Sequence, residues 1–166
     1  MSLNRLQSFY FLINCIFSQS QKAEITAKNT LLFLERLNIS SLNTNLKSLA
    51  HYEVEQAICK KPALHRFPKV MTKYVNQGLE IIKYEYNYAP EYIFVTDEGE
   101  LDSYNNILKK LTDFPGIGIH KARVTWYKIS VYLSVSNQFA DKNKIGCPGL
   151  EYSLSKEFCH MKDWGI

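Results

Sequence analysis

Leu111-Thr112-Asp113-Phe114-Pro115-Gly116-Ile117-Gly118-Ile119-His120-Lys121-Ala122 packs a helix end, a glycine turn and a helix start into one short stretch. Pro115-Gly116 stops the helix that carries Ile107, Leu108 and Leu111, and two glycines around one apolar residue permit backbone angles that other residues resist. A new helix is expected to begin near Ile119. The N–H groups of its first turn have no intrahelical acceptor, and the positive end of the helix dipole adds attraction for an anion. Ile117 is the expected plug, buried between the two helices so that the backbone of the turn faces outward. An ordinary glycine turn between core helices needs the same two glycines. Pro115, the plug and the small Ala122 favour the anion-holding version.

Working outward, Ser103 is placed to cap the helix entering the turn, and Ala122, Trp126, Ile129 and Leu133 form the apolar stripe of the helix leaving it. Pro68 suits the first turn of a helix whose stripe is Met71, Tyr74, Val75, Gly78, Leu79 and Ile82. Leu6, Phe9, Ile13, Ile16 and Phe17 predict an amphipathic first helix, and the polar run Ser18-Gln19-Ser20-Gln21 an exposed elbow after it. Ala23 to Leu37 reads as a second helix carrying Ile25, Leu32 and Phe33, and Leu46 to Ile58 as a third, capped by Thr44 or Asn45. Asn87 to Asp102, with Pro90, Gly99 and the acids Asp97, Glu98, Glu100 and Asp102, is expected to be a surface loop with a short extended piece at Tyr92 to Val95. Ser134 to Gly149 is a polar loop, and Leu150, Leu154 and Phe158 predict a short last helix. The expected fold is all-α, a single helical domain over residues 1–166.

Composition narrows the function classes. With 46% hydrophobic and 13% aromatic residues, the chain can bury a core and is not a disordered tail. Twenty Lys and Arg against sixteen Asp and Glu give a formal charge of +4, which favours a polyanion only where the cations share a face. Cys15, Cys59, Cys147 and Cys159 show no C-x-x-C spacing, so neither a zinc ribbon nor an iron–sulfur loop is written here, and no cofactor or metal is expected. Cys147, Cys159 and His160 are too unevenly spaced to suggest a ligand set. The apolar run Phe9 to Phe17 is interrupted by Asn14 and followed by no small-x-small site, so a cytoplasmic chain with reduced thiols is expected.

Phe114-Pro115-Gly116-Ile117-Gly118 resembles the hairpin of the helix-hairpin-helix DNA glycosylases, the superfamily of endonuclease III and the adenine and alkylbase glycosylases. Phe17-Ser18-Gln19-Ser20-Gln21 is similar to the Gln-rich elbow that ends a hydrophobic helix in the same enzymes. The two motifs stand a comparable distance apart, and the resemblance covers roughly residues 8 to 135. It implies a two-lobed fold with the helix-hairpin-helix, residues 103–134, at the lobe junction. It also implies base excision, in which a damaged nucleotide is flipped from duplex DNA and its N-glycosidic bond is cut, with an abasic-site lyase step in some members.

The resemblance assigns roles residue by residue. Gly116, Ile117, Gly118, Ile119 and Arg123 would hold a DNA phosphate, and Gln19 would fill the gap left by the flipped base. Asp141, 20 residues beyond Lys121 and the only acid between Asp113 and Glu151, takes the place of the catalytic aspartate. Its context, Ala140-Asp141-Lys142-Asn143, departs from the family's valine-aspartate-threonine-histidine pattern, and a loop or capping aspartate is the alternative. The family's nucleophilic lysine falls on His120, while Lys121 is one step later and turned by about 100°. Location makes Lys121 a candidate for Schiff-base chemistry and register opposes it, with a phosphate contact or a solvated charge as the alternative; His120 is a candidate for polarising substrate or touching phosphate, with an exposed helix-start histidine as the alternative.

Two basic sets, Lys109, Lys110, Lys121, Arg123 and Lys128 around the hairpin and Lys60, Lys61, Arg66, Lys69 and Lys73 around the two prolines, would make a duplex-binding surface if they face the same way. The implied partner is double-stranded DNA and not a membrane, in the cytoplasm and close to the nucleoid. The chain ends soon after Trp164, without the further helices and iron–sulfur loop of several members, which leaves room for a protein partner. The alternative from another class is a non-catalytic DNA-binding module, and a third is a helical protein–protein adaptor.

Overall fold

The computed structural model describes residues 2–135 and 150–166. Among these residues the chain is all-α, with seven helices and no strand: α1 Arg5–Phe17, α2 Ala23–Arg36, α3 His51–Cys59, α4 Pro68–Tyr86, α5 Tyr104–Thr112, α6 Ile119–Tyr132 and α7 Leu150–Asp163. Short 3-10 turns at Leu46–Ser48 and Pro90–Ile93 complete it.

The helix starts follow local chemistry. Asn4 opens α1 with a capping box, its side chain accepting the Gln7 N–H at 2.9 Å while the Gln7 side chain accepts the Asn4 N–H at 2.9 Å. Ser103 caps α5 as expected, accepting the Asn106 N–H at 3.3 Å. Pro68 begins α4, and Asn87 ends it in the left-handed region, φ 48°.

Helix α1 departs most from the sequence reading. In place of one buried stripe, every residue from Ser8 to Phe17 is buried, so α1 is a central helix wrapped on all sides. It touches α2, α4, α6 and the 90–93 turn, and one continuous apolar cluster joins it to Phe33, Val54, Met71, Phe94, Leu111 and Met161.

Three further expectations are corrected. Leu46 to Ile58 is split into a 3-10 turn and α3; Asn45 caps the turn, and Glu53 accepts the Ala50 N–H at 2.8 Å to start the helix. The 87–102 segment is not simply a surface loop, since Pro90–Ile93 forms a 3-10 turn that drives Ile93 and Phe94 into full burial. Ile25 is exposed, because the buried face of α2 runs through Thr26, Ala27, Thr30, Leu31, Phe33 and Leu34.

α1 and α6 lie antiparallel. Gln7 Nε2 donates to the Tyr132 hydroxyl at 2.9 Å, Lys128 Nζ to Asn14 Oδ1 at 2.8 Å, and Lys121 Nζ to the Ile16 carbonyl at 3.0 Å. The end of α1 and the start of α6 therefore arrive at the same place. Between them Lys128 also meets Glu157 Oε2 of α7 at 3.1 Å, and Tyr10 donates to Glu157 Oε1 at 2.7 Å, a fully buried charged cluster that fixes the register of all three helices.

Candidate nucleic-acid interface

Between α5 and α6 the chain turns through Phe114, Pro115, Gly116 and Ile117. The Phe114 N–H donates to the Leu111 carbonyl at 3.1 Å and the Ile117 N–H to the Phe114 carbonyl at 3.3 Å. Ile117 is only 5% exposed and fills the plug position. Gly116 has φ +75° and lies on the Tyr74 ring, where a Cβ would come within 2.6 Å of two ring carbons. Both conformation and contact demand glycine there. Gly118 is different: at φ −88° and ψ 172° it is the N-cap of α6, and a Cβ there would meet nothing within 4 Å.

A Ser or Asp at this N-cap would satisfy first-turn donors with its own side chain. Glycine leaves them open. The Ala122 N–H bonds the Gly118 carbonyl at 3.1 Å, but the N–H groups of Ile119, His120 and Lys121 have no acceptor among the described residues. Gly118, Ile119 and His120 are exposed, Ile119 by 50%, and Arg123 is exposed one turn later. The arrangement can accept one anion at a helix start.

Three segments meet behind this turn. Lys121 does not project to solvent. Its ammonium donates to the Gly116 carbonyl at 2.7 Å and to the Ile16 carbonyl at 3.0 Å, which binds the hairpin to the end of α1. Burial draws the Lys121 pKa below its ordinary value, with the nearby Cys15 thiol acting weakly in the other direction. The half-buried elbow residue Gln19 follows directly, and its carbonyl accepts from His65 Nε2 at 2.8 Å. His65 Nδ1 accepts the Phe67 N–H at 3.0 Å, so the ring is neutral with its proton on Nε2. Burial lowers the His65 pKa, and the cations Arg66 and Lys121 reinforce that direction. Tyr74 closes the circuit from α4 back to Gly116.

The structure thus brings Gln19, Gly116, Ile117, Gly118, Ile119, His120, Lys121 and Arg123 into one neighbourhood. Asp141 and Cys147 lie outside the described residues. The basic set around the hairpin is reduced: Lys110 is taken by Asp102 at 2.8 Å and by the Tyr92 carbonyl, Lys128 by Glu157, and Lys121 by two carbonyls. Lys109 and Arg123 stay exposed. Arg66, just before α4, and Lys69 and Lys73 in its first two turns are exposed as well, with Arg66 over the Phe67 ring at 4.9 Å. Spacing put Tyr74 in the α4 stripe but gave no sign of its contact with Gly116, and none of the bond from His65 to Gln19, because both partners are far away in sequence.

Among the described residues no group of three His, Cys, Asp or Glu side chains is placed to hold a metal, and no helix is long and apolar enough to cross a membrane. No protein family, no curated protein and no solved structure matches this chain.

Proposed function

We propose that the protein binds duplex DNA through the hairpin and acts as a DNA repair glycosylase. The observation that carries the reading is the open first turn of α6: free N–H groups at 119–121, an exposed glycine cap, and Arg123 beside them. A DNA phosphate is the anion of that shape that can approach a glycine backbone closely. The meeting of the elbow with the hairpin supports the enzyme, since Gln19 then stands where a base lifted from the stack would leave a gap. In this reading the fold divides into two lobes that share α1, with the hairpin at their junction, and the protein works in the cytoplasm on nucleoid DNA.

The reaction is hydrolytic. The bond between the base nitrogen and the sugar C1′ breaks with its electron pair going to the base, water adds to C1′, and the base takes up a proton. The products are a free base and an abasic site. Asp141 is the carboxylate proposed to stabilise the positive sugar and to take the proton from water. His120 and Arg123 contact phosphate.

A second reading, a non-catalytic duplex binder, shares the open first turn of α6, and the occupied ammonium of Lys121 leaves it no Schiff-base step to explain. A panel of labelled duplexes carrying abasic, oxidised, alkylated and deaminated positions separates them. Release of a free base from one member, leaving an alkali-sensitive site, is the expected result. Binding without release from any member identifies the binder, and neither binding nor release removes both.

A further inference from the structure

We propose that Lys121 is a positioning residue that sets the distance between the base-gap elbow and the phosphate-holding hairpin, and that it is neither a nucleophile nor a phosphate contact. The inference rests on the DNA-binding reading of the hairpin. Its ammonium spans two main-chain oxygens on different segments, Gly116 in the turn at 2.7 Å and Ile16 near the end of α1 at 3.0 Å. Ile16 lies three residues before Gln19, whose own carbonyl is held by His65 at 2.8 Å. The Lys121 side chain thus ties the hairpin to the last turn of α1, just before the elbow, where the Cys15 thiol also donates to the Lys121 carbonyl at 3.8 Å.

The direction of the bond matches its electrostatics. The Ile16 carbonyl belongs to the last turn of α1, the negative end of that helix, and a cation there is stabilised while satisfying an orphan acceptor. For Lys121 to attack a sugar or reach a phosphate, both bonds must break and two partly buried carbonyls must lose their donor. Leaving it in place holds Gln19 and the amides at 119–121 in one fixed relation, which a protein needs if it must hold a strand and test a base pair at once.

The test uses the full chain with Lys121→Met, which removes the donors and keeps the stem, and Lys121→Arg, which keeps donors. Affinities are measured for an undamaged duplex and for the same duplex with one abasic-site analogue, across a salt series. Amide hydrogen exchange is followed at Ser18–Gln21 and Ile117 without DNA. In Lys121→Met the preference for the abasic duplex is expected to fall by roughly tenfold to a hundredfold, the cost of misplacing a contact by about 1 Å. The salt slope stays that of the wild type, exchange at the elbow accelerates, and Lys121→Arg restores both.

A salt slope lower by about one, with uniform loss on both duplexes, would instead make Lys121 a phosphate contact and overturn the proposal. A borohydride-trapped adduct on wild type that vanishes in Lys121→Met overturns it too. Should Lys121→Met not fold, Lys121→Gln, whose shorter stem cannot span both carbonyls, is read in the same way. If the wild type binds no DNA, the functional reading fails, while unchanged elbow exchange in the variants separately refutes the strut.

Discussion

Gly116 rests flat against the ring of Tyr74, with room for a hydrogen and none for a methyl group. Gly116→Ala is therefore expected to destabilise the protein by about 2–4 kcal/mol, from overpacking of the ring together with a left-handed φ. Tyr74→Ala in the same chain should recover the steric part and leave the conformational part, giving a positive coupling in a double-mutant cycle read by urea unfolding. Additive losses would show that the ring is not what forbids a side chain there.

His65 makes stability depend on pH in a defined direction. Its folded pKa lies below the ordinary 6.5, so between the two values the unfolded chain binds more protons than the folded one, and stability rises with pH. The contribution is complete above 6.5 and is lost as pH falls through the folded value. Protonation puts a second donor on Nδ1, which ejects the Phe67 N–H; burial and the cations Arg66 and Lys121 oppose the charge, and only partly do the Gln19 and Phe17 carbonyls offset them. Urea midpoints of the wild type should drop on acidification faster than those of His65→Gln. Parallel pH profiles would contradict the neutral clip.

The sequence announced some of this architecture and concealed the rest for identifiable reasons. The hairpin and α4 were legible because Pro68, Pro115 and Gly116 punctuate regular apolar spacing. The central place of α1 was not, since Ser8 and Asn14 look like the polar side of a surface helix although both are buried. The 90–93 turn was hidden by the acids that follow it. The basic surface was misjudged at Lys110 and Lys128, whose partners Asp102 and Glu157 can be found only in three dimensions. Gly118 was read as needing a glycine's backbone freedom, whereas its φ of −88° is open to any residue.

The buried Lys128–Glu157 pair predicts an asymmetric response to mutation. Lys128→Met strands the Glu157 carboxylate and should cost about 3–5 kcal/mol. Adding Glu157→Gln, which keeps an acceptor for the Tyr10 hydroxyl, should recover part of that loss. Burial, followed by the Glu157 charge, holds the Tyr10 phenol well above its ordinary pKa, so its phenolate absorbance should appear only with unfolding in alkaline titration. A phenolate band before unfolding would show the cluster open to solvent.

The most direct measurement is the affinity of Gly118→Asp for a fluorescent duplex, set beside its melting temperature. An aspartate at this N-cap satisfies the first-turn donors and complements the dipole, so stability should hold or rise by a few tenths of a kcal/mol to about 1 kcal/mol. The same carboxylate occupies the phosphate position, and affinity should fall by about tenfold to a hundredfold, the worth of the charge-assisted bonds it displaces. A stable Gly118→Asp protein that binds duplex DNA as tightly as the wild type would contradict the claim that these open amides hold the strand.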